Sequence, residues 1–242
     1  MDGCMLYSKA HNLILGHYPK TAGTSMLEWF QRVFPDALVL DQRNYHLDLR
    51  AGLRRLHLWN RQRMNPFHHK PRVIGVVREP FEMLVSLYEF WQRCPNHPDP
   101  SCEIVTASRN YNFKAFLKLA TDGHQVPRYE DFFALSHPGQ STVRLIDFDN
   151  LEAGLREALD TLDIDVDISL RRTNCSPSKR TDLSEYVEEA GPLMLDVHRY
   201  FAWYYTDGVR LMASGKGSPR LTVSYRPAFR TFARGIARPR AA

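Results

Sequence analysis

The sequence predicts an α/β protein in which a central parallel sheet lies between two layers of helices. Short apolar runs of four to six residues alternate along the chain with amphipathic segments, and this alternation is typical of βαβ units. Polar segments that contain glycine or proline follow two of the apolar runs directly. Ligands bind such sheets at the carboxyl ends of the strands, so these polar segments are where we expect the functional site.

Each element has its own signal in the sequence. The apolar runs predict strands at 12–16, 37–40, 72–77 and 143–148. A helical spacing of apolar residues predicts helices at 25–34, 47–59, 81–93, 113–120, 150–162 and 183–205. Pro35 ends the first helix, Pro80 suits the first turn of the third, and Gly191-Pro192 is a candidate break in the last.

Composition excludes several classes of protein. Hydrophobic residues make up 43% of the 242 residues and aromatic residues 12%, which is enough apolar surface for a core. Four cysteines and 13 glycines exclude disulfide scaffolds and collagen-like chains. We see neither a secretory signal nor a run of about 18–20 apolar residues, and we expect a cytoplasmic protein. We expect Cys94 and Cys102 to be free thiols, with a local disulfide or a metal clip as the alternatives.

The net charge of +5 is unevenly distributed. Residues 208–242 contain eight basic residues and no acidic one, which leaves 24 basic against 27 acidic residues in 1–207. We therefore predict a folded domain over 1–207 and a basic, flexible tail over 208–242. The body has no basic excess, so we expect no nucleic-acid partner. The tail interleaves aromatic with basic residues and is a candidate for weak contact with a membrane surface.

The segment at 17–25 reads HYPKTAGTS and lies between a predicted strand and a predicted helix. Small residues let backbone N–H groups turn toward an anion, and the start of a helix adds positive potential. Lys20 contributes a mobile charge, and Thr24 and Ser25 contribute hydroxyl donors. We expect this loop to bind a phosphate-like group by the physical logic of a P-loop.

The loop departs from the pattern of ATP-binding P-loops. That pattern is GxxxxGK[ST], with lysine directly before the hydroxyl residue, whereas Lys20 precedes Gly23 and no lysine follows it. The nearest acidic strand end for a Mg²⁺ ion is VRLIDFD at 143–149, which equally supplies a helix cap. A P-loop small-molecule kinase and a non-catalytic nucleotide-binding protein of the same fold remain as alternatives.

A second candidate anion site follows the strand predicted at 72–77. Arg78 stands at its end, and Ser86 comes eight residues later, about two turns into the next helix. A guanidinium group matches a phosphate bidentately, and a serine hydroxyl adds a donor. The alternative is that Arg78 pairs with Glu79 or Glu82 and that Ser86 only packs. Two anion sites at neighbouring strand ends suit a ligand with two separated phosphate-like groups.

Together, PKTAGTS and VREPFEMLVSLY resemble the cofactor loops of sulfotransferases that use 3′-phosphoadenosine 5′-phosphosulfate (PAPS). The resemblance is to the carbohydrate branch, with its heparan sulfate 2-O-type, chondroitin-type and bacterial enzymes, and it covers most of 12–205. It implies a P-loop-like three-layer fold. The first loop then holds the 5′-phosphosulfate, and Arg78 and Ser86 hold the 3′-phosphate. The RRTNCSPSK segment resembles the loop that closes over the nucleotide. The implicated residues are Lys20, Thr21, Ala22, Gly23, Thr24, Ser25, Arg78, Ser86, Asn174, Ser176 and Lys179.

The implied reaction moves the sulfuryl group in line to an acceptor hydroxyl and leaves 3′,5′-adenosine bisphosphate. Lys20 stabilises charge on the leaving group, no metal is required, and a base near neutral pKa takes the hydroxyl proton. The match to bacterial relatives nominates His46 as that base. The alternatives are His17, His68, His69, Asp41 and Asp48. We expect a saccharide or glycolipid acceptor, whose identity the sequence does not specify.

Overall fold

The computed structural model describes residues 5–40, 47–62, 70–93, 102–135, 142–171 and 183–208. Within these ranges, each of the strands predicted from the sequence is present, and one further strand precedes them. The strands are β1 (Leu6–Ser8), β2 (Leu13–Gly16), β3 (Leu38–Val39), β4 (Arg72–Val77) and β5 (Thr142–Asp147). The α/β class is therefore confirmed.

The described strands form one mixed sheet in the order β3-β1-β2-β4-β5. β2, β4 and β5 are parallel, whereas β1 is antiparallel to both β2 and β3. The prediction of a central parallel sheet is thus right for the three strands that end at the candidate site and wrong for the other two. The connection from β1 to β2 spans only 9–12, which is too short for a crossover helix and forces antiparallel pairing.

Helices flank the sheet, and five of the predicted ones are found to within three residues. The long helix predicted at 183–205 is divided at its candidate break, Gly191-Pro192, because Gly191 at the end of the first piece has a φ of 50°. Two further helices, at 103–110 and 129–132, lie in segments for which the sequence predicted no helix. The helices are α1 (Gly23–Val33), α2 (Leu49–Gln62), α3 (Pro80–Arg93), α4 (Glu103–Asn110), α5 (Phe113–Thr121), α6 (Tyr129–Phe132), α7 (Leu151–Thr161), α8 (Ser184–Ala190) and α9 (Leu193–Tyr200).

Buried side chains on the two faces of the sheet join different clusters. Leu13 and Leu15 of β2 pack in one cluster with α1 and α7. Ile14, between them, packs with α2 on the opposite face. Val77 at the end of β4 belongs to an aromatic cluster with α3, α5 and α9. Successive side chains of a strand point to opposite faces, so the sheet lies between two helical layers.

In the part of the chain that the structure describes, no helix combines the length and the apolar character that crossing a membrane requires. The last described segment after α9 is a π-helical turn, Tyr204–Gly208. The basic tail predicted at 208–242 lies outside the described residues apart from Gly208.

Candidate anion-binding site

The three parallel strands bring their carboxyl ends to one edge of the sheet. Gly16 pairs with Gly75 in β4, and Val77 pairs with Asp147 in β5. The loop at 17–22, the Arg78-Glu79 pair and the 3₁₀ turn Phe148–Asn150 therefore follow neighbouring strand ends. Both of the anion sites predicted from the sequence lie on this edge, as the strand assignment required.

The 17–22 loop has an unusual backbone. Lys20 and Ala22 both adopt a φ of 59°, in the left-handed region that side chains disfavour. Thr21 lies between them, and its buried hydroxyl donates to the Tyr18 carbonyl at 2.9 Å. Tight turns that include left-handed residues form concave rows of N–H groups, which bind anions. The loop therefore has the backbone type expected of an anion site.

Helix α1 begins directly after this loop. Its N-cap is Ala22, whose carbonyl accepts the first helical bond from the Met26 N–H at 3.0 Å, and no side-chain cap is formed there. The first N–H groups of a helix have no partner within the helix and carry the positive end of its dipole. Ala22 has no side-chain acceptor for these groups. Helix α1 therefore does not begin with a serine or threonine cap.

Gly23 is required by the imidazole of His17. A Cβ atom placed on Gly23 would lie 1.6 Å from His17 Nε2 and 2.1 Å from its Cδ2. The half-buried His17 ring thus packs directly on the first residue of α1. This contact sets the position of the loop against the helix, and it is a role that the sequence did not indicate for His17.

Lys20 reaches across the edge of the sheet to α3. Its ammonium nitrogen lies 4.1 Å from the centre of the Phe90 ring, within the range of a cation–π contact. Phe90 is 42% exposed and is one of the few large apolar residues among those the structure describes that are exposed to solvent. The contact links the first predicted anion site with the helix that follows the second one.

Arg78 is held at both its backbone and its side chain. The Tyr129 hydroxyl donates to the Arg78 carbonyl at 2.7 Å. The Nη2 of Arg78 donates to Glu82 Oε2 at 3.3 Å, and the Arg78 Cζ lies 4.5 Å from the centre of the Phe148 ring. Its Nε is buried and has no hydrogen-bond acceptor among the described residues. The pair between Arg78 and Glu82, one of the alternatives considered for this motif, is therefore present in the structure.

One stripe of α3 connects the two cationic side chains. Glu82, Ser86 and Phe90 are spaced four residues apart and so lie on one helix face. Arg78 contacts the first of them and Lys20 the last. Eight residues of helix span about 12 Å. Half-buried Ser86 lies midway, so Ser86 is on the same face of α3 as the residues that Arg78 and Lys20 contact.

Two half-buried carboxyl groups lie at the ends of β4 and β5. Glu79 accepts from the Tyr205 hydroxyl at 2.5 Å and from the Glu82 N–H at 2.7 Å, which caps α3. Asp147 accepts from the Asp149 N–H at 3.1 Å and so caps the 3₁₀ turn, the second of the two roles considered for VRLIDFD. Burial raises the pKa of both Glu79 and Asp147. Each therefore keeps its proton to a higher pH than an exposed carboxyl does.

Tyr205 connects Glu79 to the C-terminal segment. The His198 ring of α9 stacks on the Tyr205 ring, with centres 4.2 Å apart and planes 11° apart. Burial lowers the pKa of His198, which favours a neutral imidazole. From the sequence, Glu79 was named only as a possible partner of Arg78, and Tyr129 and Tyr205 were not singled out. Only the helical spacing of Phe90 from Ser86 and Glu82 was a signal available in the sequence.

Several predicted site residues lie outside the described ranges. The predicted base His46, its alternatives Asp41, His68 and His69, and the nucleotide-loop residues Asn174, Ser176 and Lys179 are all in this group. Asp48, the remaining acidic alternative, accepts from the Ala51 N–H at 2.8 Å and so caps α2. Cys102 is a half-buried free thiol at the N-cap of α4, and Cys94 is outside the described residues.

A groove of about 540 Å³ extends from the start of α1 along its outer side. Thr24 and Ser25 line the end near the loop, and Arg171 and Ser169 line the far wall. Arg32 forms an ion pair there, since its Nη1 lies 2.6 Å from Asp167 Oδ2.

Comparisons with protein-family models, curated proteins and solved structures found nothing that matches this chain.

Proposed function

We propose that this chain is a sulfotransferase that uses PAPS as donor and a hydroxyl of a saccharide or glycolipid as acceptor. One observation carries the proposal: the loop cation Lys20 and the strand-end cation Arg78 contact the same face of α3, about 12 Å apart along the helix. A ligand with anionic groups at two separate positions fits such a pair. The resemblance of both motifs to sulfotransferase loops supplies the chemical class.

The residues present fit such a donor. The left-handed loop and the uncapped start of α1 suit a phosphosulfate group. Arg78 has a buried Nε–H without an acceptor among the described residues, and Ser86 lies two turns along α3. These two side chains suit a phosphate monoester. The donor supplies an activated sulfuryl group when bound.

The role of each site residue follows from where charge develops during sulfuryl transfer. Lys20 leaves Phe90 to stabilise the negative charge that develops on the leaving phosphate. Arg78 and Ser86 anchor the far phosphate and hold the nucleotide in one orientation. The acceptor proton passes to a base, for which His46 remains the predicted residue. Half-buried His17, which packs on Gly23 at the start of α1, is the alternative.

The proposal is tested by nucleotide binding and by sulfuryl transfer. In calorimetry, Arg78→Ala should lower the affinity for 3′,5′-adenosine bisphosphate by about 10- to 100-fold, the equivalent of one charged hydrogen bond. Arg93→Ala is the matched control, since Arg93 lies on the same helix and makes the same type of pair with Glu89. Lys20→Met should reduce the transfer of radiolabelled sulfate far more than it weakens binding.

The alternatives predict different results. Binding of the bisphosphate without transfer to any acceptor in a broad screen would favour a non-catalytic nucleotide-binding protein. Mg²⁺-dependent turnover of ATP would favour the kinase. Absence of binding by the wild-type chain would refute the proposal. His46→Ala should abolish transfer and keep nucleotide affinity if His46 is the base.

A further inference from the structure

The guanidinium of Arg78 is already occupied by an anion of its own chain. Glu82 Oε2 lies 3.3 Å from Arg78 Nη2, one turn along α3. A charge-assisted bond between such groups is usually about 2.7–2.9 Å long, so this contact is a loose one. The Phe148 ring covers the guanidinium from another side. A ligand phosphate that binds the Arg78 guanidinium must therefore compete with the Glu82 carboxylate.

We propose that Glu82 is a displaceable internal anion, whose carboxylate occupies the edge of Arg78 that the phosphate monoester of the ligand takes over. This inference rests on the proposed function, because the phosphate is the 3′-phosphate of the nucleotide. The ligand replaces one carboxylate by a more highly charged group, and Glu82 turns outward.

The geometry permits that exchange without disturbing the fold. The Glu82 side chain is 29% exposed, whereas that of Arg78 is only 15% exposed, so the carboxylate is the partner that can move to solvent. The Glu82 backbone stays in place, because its N–H donates to the Glu79 carboxyl group at 2.7 Å. The Arg78 backbone is also held, because its carbonyl accepts a hydrogen bond from the Tyr129 hydroxyl. Only one side chain has to change its rotamer.

Such a competitor lowers affinity for every ligand that uses Arg78, including the product. The bisphosphate product keeps the same 3′-phosphate as the donor, so it leaves only when that group is released. Product release limits the turnover of many enzymes. A carboxylate that returns to Arg78 speeds this step at the expense of ground-state binding.

The test compares two glutamates of one helix. Glu82→Gln removes the competing charge and should tighten binding of 3′,5′-adenosine bisphosphate by about three- to tenfold, the range of one partly exposed ion pair. Glu89→Gln is the matched control, since Glu89 pairs with Arg93 across one turn at the same 3.3 Å. It lies about two turns from Glu82 and should leave the affinity unchanged. Circular dichroism checks that both variants fold.

A second arm separates displacement from a structural role. In the Arg78→Ala background, Glu82→Gln should no longer tighten binding, because there is no guanidinium to release. Unchanged or weaker binding by Glu82→Gln in the native background would overturn the inference while leaving the proposed function intact. If inorganic phosphate binds with the expected Glu82 effect and the nucleotide does not bind at all, the proposed function fails and the displacement stands. If neither ligand binds, both fail.

Discussion

Replacement of Gly23 by alanine tests the packing that shapes the candidate phosphate loop. The new Cβ would lie 1.6 Å from His17 Nε2, far inside van der Waals contact, so the imidazole or the loop must move. Overpacking of this kind costs about 1–3 kcal/mol. The gain from replacing glycine in a helix offsets roughly 0.5–1 kcal/mol of it. We therefore expect a net loss of about 1–2 kcal/mol.

The assay is thermal unfolding combined with nucleotide calorimetry. For a chain of this size, 1 kcal/mol corresponds to about 2–4 °C in Tm, so Gly23→Ala should melt roughly 2–8 °C lower than the wild type. It should also lose affinity for 3′,5′-adenosine bisphosphate. Glu28→Ala, an exposed substitution on the same helix, is the control and should change neither quantity.

A double-mutant cycle identifies the cause. In a His17→Ala background the imidazole is gone, so Gly23→Ala should be neutral or slightly stabilising, with a coupling energy of about 2 kcal/mol. An equal destabilisation by Gly23→Ala in both backgrounds would show that the His17 contact does not set the loop. Wild-type stability of the single variant would refute the clash itself.

Three further predictions concern groups that position the site or support α1. Tyr129→Phe deletes the donor to the Arg78 carbonyl and should lower the free energy of unfolding by about 1–2 kcal/mol in urea titrations. Burial raises the pKa of Glu79 above its ordinary 4.5. Its contribution to stability is therefore complete below that value and is lost as the pH rises through the folded-state pKa; in Glu79→Gln that part of the pH dependence should disappear. Hydrogen bonds from Arg32 and Ser169 lower the pKa of Asp167 to about 2, and Arg32→Ala should move it toward the ordinary range in an NMR titration.

Each of these predictions can fail separately. A Tyr129→Phe protein as stable as the wild type would mean that the Arg78 carbonyl finds another donor. Parallel pH–stability curves for wild type and Glu79→Gln would show that Glu79 titrates normally. An Asp167 pKa unaffected by Arg32→Ala would assign its stabilisation to the Ser169 hydrogen bonds alone.

Sequence reasoning located the two anion motifs because both depend on local chemistry. The strand at 72–77 is an apolar run, and Arg78 must follow its end wherever the sheet lies. The 17–25 loop likewise follows β2 and precedes α1 by chain order alone. Parallel strands end at one edge, so the proximity of the loop and Arg78 was predictable. β1 was not, since three residues carry too little pattern to predict a strand.

The contacts that organise the site come from residues far apart in the chain. Tyr205 reaches Glu79 across 126 positions, and Tyr129 reaches Arg78 across 51. No periodicity relates such residues, and a phenol in an apolar cluster is the same in sequence whether or not its hydroxyl finds a partner. The pKa values of Glu79 and Asp147 have the same origin, since desolvation depends on what the fold places around a carboxyl.

The sequence by itself determined the α/β class, the parallel strands β2, β4 and β5, and the positions of Lys20 and Arg78 at their carboxyl ends. Apolar runs and helical spacing are local patterns, so they can be recognised without knowledge of the fold. The tertiary structure alone decided that the sheet is mixed, that His17 packs on Gly23, and that Tyr205 donates to Glu79. Such features depend on which surfaces pack together, and packing is settled by the whole chain at once.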